Sequence, residues 1–369
     1  MYILAILSIA NAVSKSAASF FITRFIAGFF GSAPICNVAA ALGDIYVPKY
    51  RGTAMTFYSI GVVAGPTLGP TIGAAILVNP YMGWRWTGYI TAIWSATVTT
   101  ISVFCLPEIY APVLLSRKAQ RLRTETQNTK LYHPHENIKI TPQNIITKHF
   151  SRPLRMLTTE PMVTCIAFYA SFVYAVLYLA LPVFPLVFAN IRGWRPVVAT
   201  LPFIALFIGV LCAIPINLSN QPRYARLVAQ AGGKPVPEGR LLPMSIGGFL
   251  FAIGLFWFGW TAIPSTIHWI SPVIAIAFIG GGFIVIFQQC LNFLVDTYGL
   301  YAASATGANT FLRSVLAAGL PMAAMPMFGK LGVGPATSIL GGVAVMLLPV
   351  PFVFMRYGER LRAKSRFVS

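Results

Sequence analysis

The stretch Gly61-Val-Val-Ala-Gly65-Pro66-Thr-Leu-Gly69-Pro70-Thr-Ile-Gly73 lies inside an apolar segment running from about Thr53 to Val78. Its glycines fall at every fourth position, so on a helix they share one face, a turn apart, and that face carries no side chains. Lipid tails are as apolar as leucine, so helices in a bilayer associate through close backbone approach, which small residues allow. Pro66 and Pro70 each remove a backbone donor and bend the axis. Lipid tolerates such bends where neighbouring groups re-satisfy the freed carbonyls. The spacing predicts a kinked transmembrane helix pressed through Gly61, Gly65, Gly69 and Gly73 against a partner, and Gly65→Leu is then expected to impair folding or closure. The plainer alternative is a helix-association face of the small-xxx-small kind and nothing more.

The rest of the chain agrees with a membrane setting. Hydrophobic residues make up 57% and charged residues 9%, a balance outside the range of soluble cores. The net charge is +19, from 27 Lys and Arg against 8 Asp and Glu. A nucleic-acid binder would cluster that charge on a soluble fold; here it sits between apolar runs, so no nucleic-acid partner is expected. Cys36, Cys105, Cys165, Cys212 and Cys290 all lie in apolar stretches without a C-x-x-C pair, which suggests neither a disulfide framework nor a zinc site. No P-loop and no histidine pair with metal-ligand spacing occurs, so no enzyme, metal or cofactor is expected. The opening run Tyr2 to Ala10, followed by Ala10-Asn11-Ala12, could pass for a secretory signal, but it lacks a basic start. It reads instead as a span shorter than the ~20 residues a crossing needs, with its beginning missing.

About ten spans are expected, near 1–14, 19–42, 53–78, 86–106, 161–190, 197–217, 241–262, 268–296, 302–327 and 335–355. The fold class is an all-α membrane protein in a four-plus-six arrangement. Its parts are an incomplete N-terminal bundle at 1–106, a basic linker at 107–160, a six-span bundle at 161–355 and a basic tail at 356–369. With the N-terminus in the cytoplasm, twenty basic residues fall in cytoplasmic segments. Five, Lys15, Arg85, Arg192, Arg195 and Lys330, fall outside. That asymmetry follows the positive-inside rule and places both termini in the cytoplasm. Within the linker, Val113, Leu114 and Leu122 beside Arg117, Lys118, Arg121 and Arg123 make a basic amphipathic helix able to lie on the inner leaflet, or else a solvated loop. His133 and His135 in the same linker lack acidic or cysteine partners for a metal.

Polar residues at membrane depth are costly and point to function or to helix clamps. Gln288, Asn292 and Asp296 are four apart and share a face, which reads as the lining of a substrate or proton path; alternatively Asp296 is a span-end carboxylate paired with a basic neighbour. Arg24 and Arg313 are the two cations within spans. Arg24 couples protons or clamps helices. Arg313, beside Asn309, reads as structural, as does Asp44 at a span end. Tyr174 and Tyr178 share a helix face that could hold a flat or cationic organic molecule, or could simply be packing, and Pro182 and Pro185 are expected to break that helix.

Several stretches together resemble the fungal drug/proton antiporter family of the major facilitator superfamily, in its polyamine and multidrug branch. Arg24-Phe-Ile-Ala-Gly-Phe-Phe-Gly-Ser-Ala-Pro34 is similar to its fourth-span motif, and Gly43-Asp-Ile-Tyr-Val-Pro-Lys-Tyr-Arg-Gly52 to the loop that follows. The glycine stripe resembles its fifth-span antiporter motif and Gly83-Trp-Arg-Trp86 the next loop. Leu106-Pro-Glu-Ile-Tyr-Ala-Pro-Val-Leu-Leu115 resembles the start of its central loop. Asn292-Phe-Leu-Val-Asp-Thr-Tyr-Gly-Leu-Tyr-Ala-Ala-Ser-Ala305 and Asn309-Thr-Phe-Leu-Arg-Ser314 resemble its late signatures. The resemblance covers the whole chain but lacks the family's first two spans and its second-to-third loop. It implies a monomeric plasma-membrane exporter that exchanges protons for a drug, polyamine or other small organic cation. The two halves would rock around a midplane site, with the glycine stripe sealing the closed state and the proton gradient as the only driving agent. Asp296 and Asp44 would be the candidate proton carriers. The competing expectation is a truncated membrane protein that does not transport and survives as a remnant, a sensor or a binding partner.

Overall fold

The computed structural model describes residues 1–34, 38, 41–42, 45–46, 48–127, 132, 151–263, 267–365 and 367. Most of them are helical, with no strand among them. Among the described residues, eight helices are long and apolar enough to cross a membrane, and Tyr2–Val13 and Ala17–Gly31 are shorter apolar helices. The protein is an all-α membrane protein. Its residues group into two units, Met1–Val47 with Asn79–Phe150, and Pro48–Val78 with Ser151–Ser369.

The first unit is built from α1 (Tyr2–Val13), α2 (Ala17–Gly31), α4 (Arg85–Cys105) and α5 (Ala111–Thr126). Ser16 caps α2 by accepting the Ser19 N–H at 3.2 Å, which satisfies one of the donors every helix start leaves open. α1 lies between α2 and α4, and Gly88 lets α4 approach so closely that a Cβ there would stand 2.8 Å from that of Ala12. α5 carries an exposed Arg121–Glu125 pair at 2.8 Å.

The second unit holds α3 (Pro48–Val78), α6 (Arg152–Thr159), α7 (Pro161–Pro185), α8 (Pro202–Cys212), α9 (Ile214–Gln230), α10 (Leu241–Thr261), α11 (Ile270–Tyr298), α12 (Ala302–Leu331), α13 (Val333–Leu347) and α14 (Pro349–Lys364). Helix boundaries depart from the sequence reading in three places. α8 and α9 run on to Gln230, through a segment expected to be polar loop, and α14 runs into the basic tail as far as Lys364. α7 is not broken at Pro182: it continues to Pro185 and then widens into a π-type turn, Leu186–Ile191. A wider turn absorbs the hydrogen bonds that the prolines remove. The turns that do stop helices use glycine in the left-handed region: Gly299 (φ 40°) after α11 and Gly332 (φ 78°) between α12 and α13.

The helix that carries the glycine stripe, α3, groups with residues 151–369, whereas chain order had placed it in the bundle 1–106. The reason lies in which face it buries. Gly52, Met55, Thr56, Ser59, Val63 and Thr67 are buried, on the side that meets α8, α9 and α11. Thr56, Ser59 and Thr67 donate to the carbonyls four residues back, at 2.8–2.9 Å, so their hydroxyls enter the interface already satisfied. Thr71 donates to the Thr200 carbonyl at 3.1 Å. The glycines are offset by two residues from Val63, Thr67 and Thr71, about 200° around the helix, and so face the other way. A Cβ at Gly61, Gly65, Gly69 or Gly73 would meet nothing within 4 Å. Among the described residues of this unit, no partner helix covers the stripe, and the expected loss of folding in Gly65→Leu is revised. That variant should give as much folded protein as the parent, measured as the monodisperse fraction by fluorescence-detected size exclusion; a collapsed peak would mean that something covers the stripe in the membrane.

Candidate functional site

The strongest concentration of chemistry lies where α7, α11 and α12 meet. Tyr174 and Tyr178 sit one turn apart on α7, their rings 5.0 Å apart and their hydroxyls 3.2 Å apart. Both are half-buried, flanked along the helix by the buried residues Ala175, Val176 and Leu177. Phe283 and Phe287 on α11 stack at 5.6 Å, and Tyr174 stacks on Phe287 at 5.8 Å. Arg313 of α12 points its guanidinium carbon over the Tyr174 ring at 4.5 Å and over Phe287 at 5.3 Å. The negative faces of aromatic rings attract a cation, by about 2 kcal/mol once water is excluded. Arg313 is only 5% exposed, and its Nε has no hydrogen-bond partner. Asn309, one turn before it, is 0% exposed with both amide atoms unpartnered. The two tyrosines are thus joined by two residues expected to be purely structural, and by two phenylalanines that the sequence reading passed over. The four-residue spacing of Phe283 and Phe287 was their available signal.

Gln288, expected on a path, is enclosed between helices. It is 1% exposed, accepts from Asn217 Nδ2 at 2.6 Å and donates to Thr56 Oγ1 at 2.5 Å and to the Gly52 carbonyl at 3.3 Å. Gln289 Nε2 donates to Asn217 Oδ1 at 2.8 Å. These amides clamp α3, α9 and α11 together, because side-chain hydrogen bonds hold helices where apolar burial cannot. Gln288→Leu leaves the Asn217 amide and the Gly52 carbonyl without that partner, which should cost about 1–3 kcal/mol. The check is a lower melting temperature of the purified protein; unchanged melting with altered solute selectivity would restore the path reading. Asn292 is 5% exposed with Nδ2 unpartnered.

Asp296 is paired rather than open. Its Oδ2 accepts from Arg240 Nε at 2.9 Å and from the Tyr224 hydroxyl at 2.7 Å. The Arg240 guanidinium carbon lies 3.5 Å from the Tyr224 ring centre. The Arg240 and Asp296 side chains are 2% and 6% exposed. The trio ties α9, the turn Pro237–Arg240 and the end of α11, and Glu238 in the same turn bonds Arg362 of α14 at 2.7 Å. Arg240 and Tyr224 were missed because one counted only as a loop cation and the other lay in a segment read as loop.

In the first unit, Arg24 lines a cleft of about 530 Å³ with Ser8, Asn11, Gly28, Thr87 and Thr91. Its Nε donates to Asn11 Oδ1 at 3.4 Å, and the same amide donates to the Phe20 carbonyl and to Thr23, each at 3.1 Å. The Phe20 ring lies 5.1 Å away. Arg24 is thus a clamp between α1 and α2 that also faces open space. Asp44, His133 and His135 lie outside the described residues.

Comparison with known proteins agrees with this architecture. The pattern of the Major Facilitator Superfamily matches residues 1–321. The chain is 42% identical over 361 residues to the multidrug transporter FLU1 of Candida albicans, a match covering 98% of this chain and 59% of that protein. It is also 42% identical over 369 residues to the efflux pump bik6 of Gibberella fujikuroi, covering 99% of this chain and 75% of the relative. Among solved structures, the human organic anion transporter MFSD10 superposes with a TM-score of 0.62 at 18% identity, over 96% of this chain and 74% of that one. The proton:xylose symporter XylE superposes with a TM-score of 0.60 at 18% identity, over 96% and 79%. These two likenesses concern the fold alone. The chain is a multi-pass membrane transporter homologue, not an enzyme, and it belongs to the Major Facilitator Superfamily.

Proposed function

We propose that this protein is a secondary exporter of small organic, drug-like molecules, driven by exchange for protons. The observation that carries the proposal is the half-buried Tyr174–Tyr178 edge, backed by Phe287 and Arg313. It offers flat π-faces and polar tips at one place inside a helical bundle, which suits a planar solute. Membership of a transporter family and the names of the two fungal relatives support the same reading. Proton exchange needs a group that titrates, and Asp296 with its partners Arg240 and Tyr224 is the described candidate. The charge asymmetry of the loops supports cytoplasmic termini, and residence in the plasma membrane as a monomer goes with the family resemblance. The test is uptake into proteoliposomes, with and without an imposed pH gradient, of a lipophilic dye cation, a polyamine and an aromatic acid. Uptake that needs the gradient is the expected result. Uptake indifferent to it removes the proton coupling, and correctly inserted protein that moves none of the three removes the exporter reading.

One observation favours a second reading, a membrane protein that does not transport. Among the described residues, nothing lies within 4 Å of a Cβ placed at Gly61, Gly65, Gly69 or Gly73, the stripe expected to seal a closed state. In that case the same vesicles bind solute without accumulating it.

A further inference from the structure

We propose that the group of Arg313, Asn309, Tyr174 and Phe287 binds a planar aromatic molecule through an acidic oxygen, a carboxylate or phenolate, and disfavours organic cations. This rests on reading that group as the solute contact, and it reverses the cation preference expected from the sequence.

The argument starts from an imbalance. Arg313 is a nine-tenths buried cation with no hydrogen bond or ion pair among the described residues; only the two ring faces stand against its charge. A guanidinium carries five donors and no acceptor, and it is not deprotonated in proteins. Burying it without an anion is costly. Arg240, the other deeply buried arginine of this unit, has its carboxylate in Asp296. Arg313 has none. Asn309 adds a second vacancy on the same helix face, since neither its Oδ1 nor its Nδ2 is partnered. Inverting the amide does not change that.

The complement of these groups is an oxygen acid attached to a flat ring. The carboxylate or phenolate accepts from the guanidinium, in paired geometry if a carboxylate, and from the Asn309 amide. The ring extends the stack that Phe283, Phe287 and Tyr174 already form. The hydroxyls of the half-buried Tyr174 and Tyr178 can donate to further oxygens. A cationic solute meets the opposite situation. The faces of Tyr174 and Phe287 that would attract it are taken by the guanidinium of the protein itself, and like charges a few ångströms apart repel strongly at low dielectric.

The test uses two probes of one shape and opposite charge, 2-naphthoate and 2-naphthylmethylammonium. They are titrated onto the purified full chain in lipid nanodiscs, with empty nanodiscs as the background. Naphthoate should bind the parent protein roughly tenfold tighter or more than the ammonium probe. Arg313→Gln should erase or invert that ratio by freeing the rings, and Arg313→Lys should keep part of it. Equal or tighter binding of the ammonium probe to the parent overturns the charge assignment and leaves the solute-contact reading standing. Binding of neither probe overturns both. A preference for naphthoate that survives in Arg313→Gln places the acid elsewhere and overturns the proposal. The ratio in the unsubstituted chain and the lysine variant decide the matter if Arg313→Gln does not fold.

Discussion

Asp296→Ala should lower the stability of the second unit by about 3–5 kcal/mol, more than most single substitutions, because it strands a buried arginine. Arg240 is 2% exposed and its Nη1 is already unpartnered; its Nε bond to Asp296 is the contact that neutralises it. Removing the carboxylate also leaves the Tyr224 hydroxyl without its acceptor. The asymmetry between breaking such a pair and replacing it gives the decisive comparison. Arg240→Met combined with Asp296→Leu removes both charges and should recover most of the loss, since apolar groups of similar volume substitute for buried ion pairs at little net cost. The measurement is thermal or denaturant unfolding of the detergent-purified protein, at low and high salt; a buried pair should respond weakly to ionic strength. A double variant as unstable as the single one would show that the residues do not act as a pair. Asp296→Asn separates stability from transport. A carboxylate that carries protons loses gradient-driven uptake in that variant even where melting changes little, whereas one that only holds the corner together loses both in proportion.

Much of the helical scaffold is legible in the sequence because the bilayer imposes a simple length rule: about 20 apolar residues make a crossing. Apart from helix ends that run on into polar segments, the failures concern which face of a helix meets which neighbour. The periodicity of Gly61, Gly65, Gly69 and Gly73 shows that they share a face. It does not say that this is the packing face, and the competing row Gly52, Thr56, Ser59, Val63 and Thr67 looks too polar to be one. Only the bonds of its hydroxyls to their own helix make that row compatible with burial. Asp296 reads from sequence as either a path residue or a paired span end, and the choice needs Arg240, 56 residues away in a turn. Tyr174 and Tyr178 declare a shared face by their spacing. That Phe287 and Arg313 complete the group depends on α7 meeting α11 and α12, contacts of Tyr174 across more than a hundred residues that no local pattern carries.

Gly280→Leu should all but abolish folded protein, and it contrasts with the harmless outcome expected for Gly65→Leu. Among the glycines that let helices of this bundle meet are Gly280, Gly281 and Gly282 of α11, which follow one another without the four-residue spacing that marks a stripe. A Cβ on Gly280 would run into the backbone of Leu206 in α8, and one on Gly209 of α8 into the backbone of Ala277. On the opposite side, a Cβ on Gly282 would stand 2.5 Å from the Phe251 nitrogen and 2.6 Å from the Gly247 carbonyl of α10. Consecutive residues point about 100° apart on a helix, so this short run lets α11 be held closely by two neighbours at once. Side chains can shift rotamers to admit an added carbon, at about 1–3 kcal/mol. A backbone cannot, so the helices must separate and forfeit the close contacts that drive association in lipid. The expected order of damage is then Gly280→Leu first and Gly281→Ala well behind it, since the nearest atoms to a Cβ at Gly281 are the Gly209 carbonyl at 3.1 Å and the Ala213 Cβ at 3.6 Å. Gly65→Leu comes last. Size-exclusion profiles of the three variants expressed side by side test the order. If Gly65→Leu proved the most damaging, the packing face of α3 would have to be the stripe after all, and the buried row of hydroxyls would lose its place in the interface.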